Sequence, residues 1–270
     1  MYIANQYTSR TEQIAFQIAF NRMPQERPPS LDPIAARRWA ELALGPKPYK
    51  PSSVTSPWLH EEVARRMEER LAFIRLQPKS WVCWNPLRAG LNVLALLKLR
   101  YPQAIGHVSA DRNGEGEWVQ SHASAPWWHP SSWFRSKLIT APLKPHSMDM
   151  VWANMALHLE PSPKSLLAQW RDALRVDGFV MFSCLGPDTL REVRAVLAQQ
   201  GWPLPGSDHT DMHDWGDMLI EVGFAEPVMD MERITLSFST PQSLLAEMRT
   251  LGRNLSIARF GGLRTPAWRA

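Results

Sequence analysis

Two periods organise the apolar positions of this chain. Leu59, Val63, Met67, Leu71 and Ile74 recur every three or four residues, with Glu61, Glu62, Arg65, Arg66, Glu68 and Glu69 between them. This is one apolar stripe on a charged helix. Ser56 is a candidate N-cap, Pro57 suits the first helical position and Pro78 closes the stretch. Beyond residue 79 short apolar runs alternate with amphipathic stretches. Strands are predicted at 81–84, 104–108, 138–141, 148–153, 179–185, 228–231 and 234–238. Helices are predicted at 91–99, 164–174, 189–200, 211–222 and 241–251, with Gly201 and Gly223 closing two of them. Residues 111–135 read as a long irregular segment. Strands alternating with helices of this length imply an α/β fold: a parallel, doubly wound, Rossmann-like sheet with helices on both faces. The unbroken apolar run at 179–182 agrees, because parallel strands are covered on both sides.

Proline sets the domain boundaries. Pro24, Pro28, Pro29, Pro33, Pro46, Pro48 and Pro51 break any long element near the N-terminus. Residues 1–55 are therefore expected to be an irregular, Pro-rich extension with one short helix at 34–44. Whether residues 1–24 belong to the folded protein is left open. The α/β domain is expected over 56–255, and 256–270 form a basic C-terminal tail.

Composition narrows the chemistry. The 14 glycines and 23 prolines invert the usual excess of glycine, and 13 residues are tryptophan. Such a chain is poorly suited to a Gly-rich phosphate cradle. Cys83 and Cys184 are the only cysteines. They permit no disulfide framework and no paired metal-ligand spacing, and both read as buried thiols. The most aliphatic stretch, 93–99, is interrupted by Lys98 and falls far short of the roughly 20 residues a bilayer requires. No signal-peptide pattern opens the chain. The expectation is a soluble, cytoplasmic protein. The formal charge is +4, and five arginines with no acid lie between 249 and 270: Arg249, Arg253, Arg259, Arg264 and Arg269. The remainder is close to neutral. Such a tail suits an acidic protein partner, an anionic surface or nucleic acid, or is simply solvated. No second basic cluster supports nucleic acid. G-x-S-x-G, P-loop and H-E-x-x-H patterns do not occur, which disfavours hydrolase, NTPase and zincin chemistry.

Longer motifs carry a resemblance. MDMVWANMALHL (148–159) and LLAQWRDALRVDGFVMFSCLGPDTLRE (166–192) resemble the second half of a class I S-adenosylmethionine-dependent methyltransferase. SPWLHEEVARRMEERL (56–71), LGPDTLRE (185–192), TDMHDWGDMLIEVGFAEPVMDMERITL (210–236) and LLAEMRTLGRNL (244–255) are similar to the malonyl-acyl carrier protein O-methyltransferases of biotin synthesis. The resemblance implies S-adenosylmethionine as cofactor and a carrier-bound carboxyl group as methyl acceptor. It also makes the basic tail a candidate contact for the acyl carrier protein. A carboxylate is already ionised at neutral pH, so methylating it needs placement and no general base.

One motif departs from the family. Class I members follow their first core strand with an acid and a G-x-G-x-G turn, where bare backbone approaches the cofactor. The equivalent stretch here is Cys83-Trp84-Asn85-Pro86-Leu87-Arg88-Ala89-Gly90. Only Gly90 fits, and the acid is absent. A second acid, expected at the end of the next strand to bind ribose hydroxyls, is represented only by Asp111. By resemblance, Gly90, Asp111 and Asn154 are the cofactor-binding candidates, and Asn154, His158 and Arg191 the catalytic ones.

Each candidate has a structural alternative. His158 suits a loop histidine with a backbone partner, Asn154 a turn, and Asp188 the cap of the following helix. His209, Asp211, His213, Asp214 and Asp217 have metal-like spacing, yet they open a helix where acids cap amides, and no metal is expected. Trp127, Trp128, His129 and Trp133 suit a lid over an acyl chain, a plug over a vacated site or a partner surface. Two functions follow: a carboxyl methyltransferase, or a non-catalytic scaffold or assembly factor whose cofactor site has decayed or been plugged.

Overall fold

The apolar runs become the strands of one sheet. The computed structural model describes residues 2–5, 31–42, 57–109, 138–139 and 143–259. In chain order the strands are β1 (Tyr2–Asn5), β2 (Ser80–Trp84), β3 (Ile105–Ser109), β4 (Leu138–Ile139), β5 (Met148–Ala153), β6 (Leu174–Phe182) and β7 (Ala225–Met229). Their spatial order is β4-β3-β2-β5-β6-β1-β7. Strands β2 to β6 pair in parallel, and β1 runs antiparallel to both β6 and β7.

Alternation along the strands divides the core into two layers. Val82, Val151, Ala153, Val180 and Phe182 face one side, where they meet Leu166, Leu167 and Trp170 of one helix (Pro163–Ala173) and Trp215 and Leu219 of another (Met212–Glu221). Trp81, Cys83, Met150, Trp152, Phe179 and Met181 face the other side, against Ala64 and Met67 of the charged helix (Trp58–Arg70) and Val93, Leu94 and Leu97 of a shorter one (Val93–Arg100). The doubly wound arrangement is thus as expected. In chain order the helices are α1 (Pro33–Leu42), α2 (Trp58–Arg70), α3 (Pro86–Ala89), α4 (Val93–Arg100), α5 (Pro163–Ala173), α6 (Arg191–Gln199), α7 (Met212–Glu221) and α8 (Pro241–Thr250). No described helix is long and apolar enough to cross a membrane. Much of the tryptophan surplus is core: Trp81, Trp152, Trp170 and Trp215 are among the largest fully buried side chains.

The structure differs from the sequence reading at both ends. Residues 234–238, expected to be a strand, have no regular structure, and the sheet position between β6 and β7 is taken by Tyr2–Asn5. That strand comes from the stretch expected to be an irregular extension. The C-terminal segment is not wholly a free tail. Leu31 and Ser256 form a β-bridge, the Asp32 amide donates to the Leu255 carbonyl, and Leu31, Ala36 and Leu255 share a small core. Arg259 pairs with Asp32 at 2.7 Å.

Helix ends follow local chemistry. Asp211 caps α7 by accepting from the His213 amide, and its carboxylate also meets His213 Nδ1 at 2.7 Å. Asp188 does not cap α6. Its carboxylate accepts from Arg233 instead, and α6 starts after Leu190. Cys83 is buried and Cys184 half-buried.

Candidate functional site

Ligands of open α/β sheets bind beyond the carboxyl ends of the strands, so the turn leaving β2 positions the site. Asn85 takes a left-handed conformation, φ 51°, and its amide donates to the Ser109 carbonyl at the end of β3. The chain then makes the single helical turn α3, with Pro86 and Ala89 buried, and reaches Gly90 at φ 106°. Gly90 is the conformationally required residue of the stretch, because L side chains rarely adopt that angle.

The open side of Gly90 is filled by a residue the sequence reading missed. A Cβ at Gly90 would lie 3.0 Å from Oε2 and 3.1 Å from Cδ of Glu61, on α2. Glu61 Oε1 accepts from the Asn92 amide at 3.2 Å, at the start of α4. Glu61 Oε2 is buried, with no hydrogen-bond partner among the described residues. In the sequence Glu61 belongs to the charged face of a helix, and its period does not tell which part of that face meets the turn.

Asn154, at the end of β5, is fully buried and fully engaged. Its amide donates to the His60 carbonyl at 2.8 Å and to the Ala89 carbonyl, and its Oδ1 accepts from the Ser183 hydroxyl at 2.6 Å. It ties α2, the α3 turn and the end of β6 together. The structure therefore gives Asn154 a positioning role. Ser183, also missed, accepts the Met155 amide as well.

His158 lies in a 3-10 turn just after β5 and is buried. Its ring stands edge-on to that of His209, with centroids 5.7 Å apart and planes at 80°. The Nδ1 atoms of both rings are buried without a hydrogen-bond partner among the described residues. Burial, then the neighbouring His209 and His60, push His158 well below the usual histidine range. Burial and Arg194 push His209 down to about 4, against the opposing pull of Asp208. Both rings are neutral at physiological pH. His158 is thus brought together with His209, which sequence spacing grouped with the acids of α7, rather than with a backbone partner.

The other candidates lie elsewhere. Arg191 is exposed at the start of α6 and pairs with its neighbour Glu192 at 2.9 Å. It is not part of the histidine pair. Asp111, Trp127, Trp128, His129 and Trp133 lie outside the described residues. Among the described residues no group of three or more His, Cys, Asp or Glu side chains gathers to hold a metal. A cavity of about 300 Å³, lined by Trp84 and Ser109 at the strand ends and by Lys144, Gln169 and Asp172, opens on the α5 side.

These residues do not fit the amino-acid end of S-adenosylmethionine as they stand. Gly90 keeps its bare backbone, but the Glu61 carboxyl already rests against it and holds the adjacent amide.

Comparison with known proteins sets this geometry in context. No known family profile matches the chain. A malonyl-[acyl-carrier protein] O-methyltransferase of Laribacter hongkongensis is 35% identical over 220 residues, covering 76% of this chain and 71% of that protein. The protein of the same name from Gallionella capsiferriformans is 32% identical over 217 residues, covering 76% and 72%. A solved S-adenosylmethionine-dependent methyltransferase of Thermotoga maritima aligns with a TM-score of 0.40 at 12% identity, covering 62% of this chain and 74% of its own. At the identity and coverage of its sequence relatives, this chain belongs to the malonyl-[acyl-carrier protein] O-methyltransferase family.

Proposed function

We propose that this protein takes part in biotin synthesis as a cytoplasmic carboxyl O-methyltransferase acting on malonyl-acyl carrier protein, with S-adenosylmethionine as methyl donor. The observation that carries this reading is the 35% identity to a malonyl-[acyl-carrier protein] O-methyltransferase over three quarters of the chain. The strand-end chemistry supports the acceptor half. Two neutral imidazoles, His158 and His209, each present a buried Nδ1 with no described partner, and in the appropriate tautomer each donates an N–H. Neutral donors hold a carboxylate without the tight ion pair that an arginine makes, so the oxygen keeps its nucleophilicity. Asn154 and Ser183 hold the ends of β5 and β6 together.

A second reading rests on the contact between Glu61 and Gly90: a family member that keeps the fold but accepts no cofactor. One assay separates the two. Purified protein is incubated with malonyl-acyl carrier protein and methyl-labelled S-adenosylmethionine, and label is sought on the carrier as a base-labile ester. Label is expected. Its absence with folded protein, together with failure to restore growth without biotin in cells lacking their own methyltransferase, would overturn the catalytic reading.

A further inference from the structure

We infer that Glu61 is a resident occupant of the cofactor cradle, a carboxylate of the protein's own chain that an incoming amino-acid carboxylate must displace. This inference rests on the reading of the chain as binding S-adenosylmethionine. Three observations locate the occupant. The carboxyl lies against the place a Cβ at Gly90 would take, its atoms 3.0–3.4 Å from that position. It accepts the amide of Asn92, the residue that precedes α4, so a backbone donor beside that helix's start is already taken. Its second oxygen is buried there without a described partner.

A helix N-terminus beside a glycine turn favours an anion because amide donors and the positive end of the helix dipole converge there. S-adenosylmethionine carries one carboxylate, at its amino-acid end. Two carboxylates do not share the Asn92 amide and the space above Gly90, so the two compete. Displacing Glu61 asks only for a side-chain rotation, since its backbone sits on α2 and the charged face of that helix meets solvent.

The test compares two ligands by calorimetry on the full chain. S-adenosylhomocysteine has the amino-acid end and 5′-methylthioadenosine lacks it. Glu61→Ala removes the occupant, and Glu61→Gln keeps its volume but removes its charge, which guards against a folding defect in the first. Both variants are expected to bind S-adenosylhomocysteine at least tenfold more tightly than the natural chain, with 5′-methylthioadenosine unchanged. Weaker binding of S-adenosylhomocysteine, or an equal change for both ligands, would overturn the inference in favour of an anchoring or a structural Glu61. No binding by any form would overturn it too. The ester assay on the natural chain judges the function separately, so the two failures are distinguishable.

Discussion

At the scale of single residues, Asn154 shows what a sequence conveys about a site. Its position after an apolar strand marks it as a strand-end residue, and the structure buries it there, just after β5. Its role was not legible, because the carbonyls of His60 and Ala89 that consume its amide lie 94 and 65 residues away in sequence. Replacing Asn154 by Ala leaves those carbonyls and the Ser183 hydroxyl buried with fewer partners. The expected loss is about 3 kcal/mol, against about 1–2 kcal/mol for Ser183→Ala, which removes the donor to Asn154 Oδ1 and one of the two acceptors of the Met155 amide. Urea unfolding of the two variants checks the ratio, and equal small losses would show that the network is not a brace. His209 makes a separate prediction. Its folded-state pKa is lowered to about 4, so the unfolded chain binds a proton near pH 6.5 that the native chain refuses. Stability therefore falls as pH drops from about 6.5 to 4, by on the order of 2–3 kcal/mol from this group alone. His158 adds in the same direction. The His209→Asn variant is expected to show a shallower loss over that window by denaturant titration. An unchanged slope would mean that the ring is solvated in the native state.

Elements were legible where a long periodic pattern met a packed neighbour. The strand at 148–153 matches the expected bounds, and α2, α5 and α7 fall within a few residues of theirs. The clearest misreading is equally instructive. Ile234, Leu236 and Phe238 alternate as a strand would, but alternation only says that a segment suits a sheet, not that a sheet edge is available to it. Tyr2–Asn5 takes the edge of β6 first and β7 pairs outside it. The chain after β7 is drawn away to α2 instead, where Asp230 pairs with Arg70 and Glu232 with Arg66 and Arg70. Four residues rich in no turn signal gave little reason to expect β1. If β1 is an integral strand, deleting residues 1–5 frees the backbone groups it pairs on both neighbours, at about 1 kcal/mol for each bond. Stability is expected to fall by several kcal/mol, with amide exchange rising sharply in β7 and little in β2 and β3. Unchanged protection of β7 would show that another segment, 234–238 being the obvious one, fills the same position.

At the scale of the whole molecule, the basic C-terminal stretch is shared between the fold and the solvent. From sequence the basic run beginning at Arg249 reads as one tail, solvated or facing a partner, and the structure divides it. Arg259 is spent internally: it binds Asp32 and helps fasten the C-terminal segment to the start of α1. Arg249, in the last turn of α8, and Arg253 are exposed and join no ion pair among the described residues. Attraction between such a surface and an acidic carrier protein raises the rate of productive collision more than it lengthens the life of the complex, and salt screens it within about a Debye length. Reversing Arg249 and Arg253 to Glu together is therefore expected to slow association with malonyl-acyl carrier protein on the order of tenfold at low ionic strength. The difference should shrink towards nothing near 1 M salt, while dissociation changes little. Arg259→Glu is expected to behave differently, lowering the unfolding midpoint because it sets two acids against each other beside Leu31 and Leu255. Stopped-flow mixing across a salt series distinguishes the two. A loss that persists at high salt for the Arg249 and Arg253 pair would place those residues in a packed contact rather than in the steering field.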